Sequence, residues 1–420
     1  MNRFYTMNFF FSLYNLLWTL ALGPLLLCSR VRKGFFKRLA LVKYPQVDLI
    51  VQAASVGEAK LALLITQKLL SIHPDLKILV TTQTSEAQKI LQANCAPQNI
   101  FVEYFPFDFW PCVKKFLKHT RPQLVLILET EIWPNFYLKC KQKNIPLFIV
   151  NARMRSKTFA QYLIVQKIFQ KISPSKILAI SKADQNRFQR IFPHSQISTM
   201  PNLKFDTIDL TSPISYTQNP LNKIIPPGLK LIVFGSIRGL EENAILWVIK
   251  NLRQQNPKTA IAIFPRHLQR ISNLRAKLHQ LHLPCTLRTQ IKDHIKPGEI
   301  ILWDQMGELV PAYALAHKVF VGGTLAPLGG QNFLEPLSQG VVPLIGPYFE
   351  NFAWIGEDIF TLNLVKKILN KEELFQALIQ TKRFQRKQVF AKFKQYLQTK
   401  QGGLNIVCEH VSSLLCNNSG

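Results

Sequence analysis

Several acids and bases in this chain stand where an apolar run ends and a helical pattern begins, the place where α/β proteins collect their chemistry. The stretch "AASVGEAK" (53–60) follows the apolar run Val47–Val51 and precedes helically spaced Leu61, Leu63, Leu64, Leu69 and Leu70. Glu58 is therefore either an anion stabilised by a helix N-terminus or a base waiting for a proton. "ILETEIWPN" (127–135) brings Glu129 and Glu131 to a second strand end. Alternation along a strand puts both on one side, where they hold a sugar or perturb each other's pKa, unless one merely caps the following helix. "NARMRSK" (151–157) adds Asn151, Arg153, Arg155 and Lys157 after the next strand. That loop suits carboxylate or phosphate, and is otherwise an ordinary solvated basic face.

The second half repeats the arrangement. "FPRHLQR" (264–270) delivers Arg266 and His267 at a strand end. An arginine there suits a phosphate bidentately, whereas a lone histidine is more often structural or solvated. "VGGTLAPLGGQNFLEP" (321–336) leaves a strand through Gly322 and Gly323, turns through Pro327, Gly329 and Gly330, and enters a helix near Asn332. Glycines let backbone approach an anion and a helix start attracts one, although a plain glycine-rich loop reads the same way. Glu335, about one turn into that helix, either accepts ribose hydroxyls or faces water. The sequence has no D-x-D motif, metal-spaced histidines, Walker loop or nucleophile elbow, so no metal, cofactor or covalent intermediate is expected. A carboxylate base with cationic groups to hold a departing phosphate points to glycosyl transfer from a nucleotide-sugar.

Two sheets must position these residues. Apolar, β-branched runs at 47–53, 77–82, 100–104, 123–129, 146–150 and 176–180 alternate with helical stretches. The alternation resumes at 230–235, 259–264, 299–303, 318–322 and 341–345 after a Pro-, Thr-, Ser- and Asn-rich break. The fold class read from this is α/β: two doubly wound parallel-sheet domains facing a cleft, behind an N-terminal membrane helix. The expected boundaries are 1–38 for the anchor and basic juxtamembrane segment, 39–206 for the acceptor-binding domain, 207–229 for a linker, and 230–420 for the nucleotide-sugar-binding domain with its closing helices.

Charge narrows the partners. With 52 Lys+Arg against 24 Asp+Glu the chain carries +28, which favours nucleic acid, an anionic membrane or a phosphorylated substrate. Met7–Cys28 holds no charged residue and is long enough to span a bilayer. Arg30, Arg32, Lys33, Lys37, Arg38 and Lys43 follow it against Arg3 alone before it, which places the domains on the cytoplasmic side. Asn8, Asn15 and Pro24 interrupt the run, so a helix lying in the interface is the second possibility. No small-x-small site closes the run, and Leu27 before Cys28 does not suit lipoprotein processing. The seven cysteines (28, 95, 112, 140, 285, 408, 416) form no C-x-x-C pair and are expected to be buried, reduced thiols.

These motifs together resemble the 3-deoxy-D-manno-octulosonic acid (Kdo) transferases of lipopolysaccharide synthesis. "AASVGEAK", "TTQTSEA", "PFD" (106–108), "ILETEIWPN", "NARMRSK", "NLKFD" (202–206), "PRH", "MGEL" (306–309) and "FVGGTLAPLGGQNFLEP" appear in the family's order between residue 40 and about 352. The resemblance implies an inverting, metal-free GT-B glycosyltransferase at the bacterial inner membrane, with CMP-Kdo as donor and a lipid A precursor as acceptor. It implies Glu58 as general base beside the paired acids Glu129 and Glu131. Donor contacts fall to Ser236, Arg266, His267, Gly307, Glu308, Gly322, Gly323, Gly329, Gly330, Asn332 and Glu335. Acceptor or anion contacts fall to Ser55, Gly57, Lys60, Asn151, Arg153 and Lys204. The family commonly has S-T-H-x-G-E-E where this chain has Ser236-Ile237-Arg238-Gly239-Leu240-Glu241-Glu242, and Pro201 replaces the usual glycine before "NLKFD". With the threonine and histidine gone, Arg238 is expected to hold donor phosphate in its own way. The alternatives are a GT-B enzyme with another nucleotide-sugar donor, or a basic nucleic-acid-binding protein. The latter lacks both interleaved aromatics and a binding motif, so no nucleic-acid partner is expected.

Overall fold

The computed structural model describes residues 2–94, 99–208, 213–380 and 385–417. The chain divides into two units, Met1–Ile208 with Lys400–Gly420, and Asp209–Thr399. The first is built on seven parallel strands: β1 (Leu49–Ala53), β2 (Ile78–Thr82), β3 (Ile100–Tyr104), β4 (Leu124–Leu128), β5 (Leu147–Ala152), β6 (Lys176–Ala179) and β7 (Gln196–Thr199). Their order is β3-β2-β1-β4-β5-β6-β7, so the winding reverses at β1 and β4. Every position of β1, β2 and β4 is buried, as the unbroken apolar runs require of strands covered on both faces. Edge strand β7 ("QIST") was not expected: its side chains are mostly exposed, so it carries no apolar run to read.

The second unit repeats the plan with β8 (Leu231–Ile237), β9 (Ala260–Pro265), β10 (Cys285–Leu287), β11 (Ile300–Leu302), β12 (Lys318–Val321), β13 (Pro343–Ile345) and β14 (Lys366–Lys367). The order β10-β11-β9-β8-β12-β13-β14 reverses at β8 and β12, and the pairing is again all parallel. Two doubly wound sheets are therefore present, as the alternation implied.

Two of the expected boundaries shift. The closing helix Gly403–Asn417 belongs to the first unit, not to the second. Its Val407, Cys408 and Val411 share a buried cluster with Leu61, Ile65 and Leu69. The Asp206 carboxylate accepts from the backbone N–H of Gly402 and Leu404 at 2.8 and 2.9 Å, which fixes the returning chain. The supposed linker is likewise part of a unit. Residues 209–212 lie outside the described residues, but beyond them Leu221 and Ile225 are buried. Asn219 Nδ2 donates to the Pro311 carbonyl at 2.9 Å, and the Ile224 carbonyl accepts from Ile295 N at 2.7 Å. A Pro- and Asn-rich run makes turns wherever it lies, so composition did not separate a packed segment from a free one.

The first unit begins with helix α1 (Asn2–Leu27), of which Phe9–Leu27 has mean hydropathy 1.6 and is long and apolar enough to cross a membrane. Cys112, Cys140 and Cys408 are buried as expected, whereas Cys28 and Cys416 are exposed and Cys95 lies outside the described residues.

Candidate active site

At the end of β1 the chain turns into the helix Val56–Ile72. Ser55 adopts an extended conformation and caps that helix: its Oγ accepts from Glu58 N at 3.3 Å and donates to Glu58 Oε1 at 2.8 Å. Oε2 of Glu58 accepts from Ala54 N at 2.8 Å. Glu58 is thus part of a reciprocal cap, the arrangement that a serine followed three residues later by glutamate favours. Glu58 is only 9 % exposed, and burial raises its pKa, with the Ser55 and Ala54 hydrogen bonds opposing the rise. Glu129 raises it further and Arg153 lowers it. Ser55, Gly57 and Lys60 are exposed around this turn. A Cβ at Gly57 would meet only Ser55 Oγ, at 3.9 Å, so packing does not demand glycine there.

The two acids after β4 take different partners, and Glu129 adds to the raised pKa of Glu131, as the sequence allowed. The strand ends at Leu128, and Glu129 takes a left-handed φ of 59°, which breaks the alternation at a cost that a non-glycine residue bears only where surroundings enforce it. Glu129 Oε2 accepts from Arg153 Nε and Nη2 at 2.7 and 2.5 Å, and its Oε1 accepts from Lys204 Nζ at 3.1 Å. Glu131 instead accepts from Gln52 Nε2 at 2.8 Å, and Gln52 Oε1 accepts in turn from Thr81 Oγ1 at 2.6 Å. Burial pushes Glu131 up to about 7, and the neighbouring charges of Glu58 and Glu129 add to the shift. Asn151 has a different task from the expected anion contact. Fully buried and left-handed at φ 54°, it accepts from Leu203 N at 2.9 Å and so pins the turn that delivers Lys204.

The Glu131 environment has a measurable consequence. Because its folded pKa lies above the ordinary carboxylate value of 4.5, the folded state holds the proton more tightly than the unfolded chain. That contribution is present below the ordinary value and is lost as pH rises toward about 7. Glu131→Gln, which keeps the oxygen that Gln52 bonds, should gain roughly 1–3 kcal/mol over wild type at about pH 8 and nothing near pH 4. Urea midpoints at the two pH values check this, and an equal effect at both would show that the buried proton is not the cause.

In the second unit β8 ends in a register shift against β9, with Ser236 left-handed at φ 56°. The Arg266 backbone N–H donates to the Ile237 carbonyl at 2.9 Å, and Gly322 N donates to the Gly235 carbonyl at 2.7 Å. Ser236, Arg266, Gly322 and Gly323 therefore gather at the carboxyl ends of the adjacent strands β9, β8 and β12. Arg266 and His267 are exposed there. The glycine-rich loop is not an open cradle at its start. The buried Glu241 carboxylate accepts from the backbone N–H of Arg238 (2.9 Å), Gly323 (2.5 Å), Thr324 (3.3 Å) and Leu325 (3.3 Å). The amides that the sequence offered to a ligand anion are taken by the protein's own acid. A Cβ at Gly322 would lie 2.5 Å from Glu241 Oε1, so this glycine serves that close approach.

Farther along, Gly329 and Gly330 both have φ near 81°, and a Cβ on Gly329 would strike the Asn351 amide at 2.4 Å. Asn332 Oδ1 accepts from Leu334 N at 3.1 Å and its Nδ2 donates to Glu335 Oε1 at 3.0 Å, at the start of the short helix Leu334–Ser338. Arg238 bonds the same loop through Nη1 to the Leu328 carbonyl at 3.3 Å. Glu308, beside Gly307 at φ 88°, is held by Arg288 at 2.9 and 3.0 Å and by Trp303 Nε1 at 2.8 Å. Its geometry is that of a brace rather than of a free ligand contact. Sequence reasoning missed Gln52, Arg288 and the task of Glu241, all of which take their meaning from partners distant in the chain.

Residues 32–207 match the model of a family described as 3-deoxy-D-manno-octulosonic-acid transferase (kdotransferase). A curated 3-deoxy-D-manno-octulosonic acid transferase of Rickettsia felis is 29 % identical over 332 residues, covering 78 % of this chain and 70 % of its own length. One from Haemophilus influenzae is 26 % identical, covering 74 % of this chain and 73 % of its own. A Kdo transferase domain therefore lies at residues 32–207, and most of the chain is similar to Kdo transferases. The matched segment holds Glu58, Glu129, Glu131, Arg153 and Lys204, so the acid cluster lies within the family's own domain. A solved Anabaena protein (Alr3699/HepE) in complex with UDP is 14 % identical with a TM-score of 0.55, covering 87 % of this chain and all of that one. A glycosyltransferase from Rickettsia africae is 11 % identical with a TM-score of 0.54, covering 89 % of this chain and 99 % of its own. At such identities the likeness speaks for the fold, which is GT-B.

Proposed function

We propose that this chain transfers Kdo from CMP-Kdo to a hydroxyl of a lipid A precursor, at the cytoplasmic face of a bacterial inner membrane and with inversion at the anomeric carbon. The observation that carries this reading is Glu58: a buried carboxylate with a raised pKa, held by Ser55 and Ala54 in the first turn after β1, inside the family's own domain. The acceptor oxygen attacks the anomeric carbon while Glu58 takes its proton. The bond from that carbon to the CMP phosphate oxygen breaks, its electron pair leaves with CMP, and no cofactor is needed. Glu129 is paired with two cations, Arg153 and Lys204, whereas the donors on Glu58 are neutral. Glu131 is bonded by Gln52 Nε2 at 2.8 Å, and its own raised pKa makes it the second candidate base. Arg266, exposed at the end of β9, supplies charge for the departing phosphate.

Purified full-length protein given CMP-Kdo and a tetraacylated lipid A precursor should yield a product heavier by Kdo in mass spectra. Transfer from a UDP-hexose instead would return the chain to the broader GT-B class. Arg266→Ala should weaken CMP binding by roughly 1.5–3 kcal/mol in calorimetry, the usual range for a hydrogen bond to a charged group. Unchanged affinity in a folded variant would remove Arg266 from the donor site.

A further inference from the structure

Helix α1 has two faces. Phe9, Leu13, Leu16, Leu17 and Leu20 recur at helical spacing and are 44–69 % exposed. The opposite face lies on the first unit, where Phe11 is buried and the Trp18 ring centroid sits 5.5 Å from that of Phe107. Between them, polar side chains are built into the domain. Tyr14 Oη donates to Asp108 Oδ2 at 3.0 Å. Asn15 and Asn135 exchange side-chain amide hydrogen bonds at 3.1 and 3.2 Å.

Asn15 also completes another helix. The helix Trp110–Thr120 is preceded by Phe109, which has no side-chain acceptor for the first-turn amides, and Asn15 Oδ1 accepts from Trp110 N at 2.9 Å. Asp108 does the same for the helix Pro134–Gln142, accepting from Asn135 N and Phe136 N at 3.0 and 2.8 Å. Its carboxylate is fully buried, and burial pushes it up to about 7. Asn15, which interrupts the apolar run, and Tyr14 are therefore parts of the folded domain, and removing α1 would leave Trp110 N without its cap.

This docking is incompatible with a membrane crossing. With the basic end cytoplasmic, Tyr14 would lie about 20 Å along the helix from Leu27, beyond the middle of a hydrocarbon core about 30 Å thick. Asp108 and two helix starts would have to follow it there, where unmet polar groups are costly. We propose that α1 does not span the membrane but lies in its plane, with the Phe9–Leu20 face in the lipid and the Tyr14–Asn15 face clamped to Asp108 and Asn135. The inference rests on the proposed membrane location and not on the proposed chemistry. The occupant of the apolar face is an anionic bilayer, because the docking surface is rimmed by cations. Lys139 Nζ sits 4.5 Å over the Trp110 ring, and burial together with the nearby Lys143 and Lys114 charges lowers its pKa. Exposed Lys33 and Phe36 continue the basic and apolar surface beyond the helix.

Topology labelling of the full chain in bacterial membranes tests this. In Asn2→Cys, a membrane-impermeant maleimide should add label over wild type in inside-out vesicles and none in spheroplasts. In membrane-bound Trp18→Cys/Phe107→Cys, a short bismaleimide should join the two positions. Label from the outer face of spheroplasts, with no cross-link, would establish a span and overturn the proposal. Failure of the purified chain to float with vesicles of equal phosphatidylethanolamine and phosphatidylglycerol would overturn it too, by assigning the apolar face to another partner. Kdo transfer measured on a detergent-dispersed acceptor stays unaffected by either failure.

Discussion

Glu58→Gln is expected to lower Kdo transfer by about 10²–10⁴-fold while leaving the fold and CMP affinity in place. An amide at this position still offers an oxygen to Ala54 N and a partner to Ser55 Oγ, so the cap on the helix Val56–Ile72 survives. What is lost is the ability to take a proton. The assay is turnover with both substrates, beside calorimetric CMP binding and a thermal melt. The pH dependence carries a second signature. Burial raises the Glu58 pKa, so the wild-type rate should climb with pH through a group titrating above the ordinary carboxylate value, and the glutamine variant should lack that limb. A variant that transfers Kdo within a few-fold of wild type would leave Glu58 as a helix cap alone and move attention to Glu129 and Glu131.

The second large effect concerns stability. Glu241→Ala should destabilise the second unit by roughly 3–5 kcal/mol, because it strips the acceptor from several buried amides at once. In the folded protein that carboxylate bonds the N–H of Arg238, Gly323, Thr324 and Leu325 and is 1 % exposed. The direct readout is amide hydrogen exchange at Gly323, Thr324 and Leu325, which should accelerate in the variant, with a lowered urea midpoint for that unit. Glu241→Gln keeps one acceptor oxygen and should recover part of both. Wild-type protection of the three amides in Glu241→Ala would show that the loop is held by other contacts.

Much of this protein is legible along the chain, and the reason is locality. Unbroken apolar runs such as Leu124–Leu128 mark strands covered on both faces, and their alternation with helical spacing gives two parallel sheets. The Ser55–Glu58 cap is readable because its partners are three residues apart. Ordered motifs brought the family into view, and the strand ends placed Ser236, Arg266 and Gly322 together.

What the chain alone left undecided depends on partners that only the crossovers bring near. Nothing local to Glu129 announces a left-handed turn toward Arg153 and Lys204, because alternation assumes that the strand continues. The glycines at 322 and 323 read as a ligand cradle until the sheet order sets β12 beside β8 and places Glu241 on their amides. The helix Gly403–Asn417 shows that it must bury a face, but not which core receives it. Asn15 looks like a flaw in a membrane span, and Tyr14 beside it carries no local signal. Only the fold shows that Asn15 caps Trp110 and pairs with Asn135 while Tyr14 bonds Asp108, because a hydrogen bond needs both of its ends in place and sequence spacing supplies one.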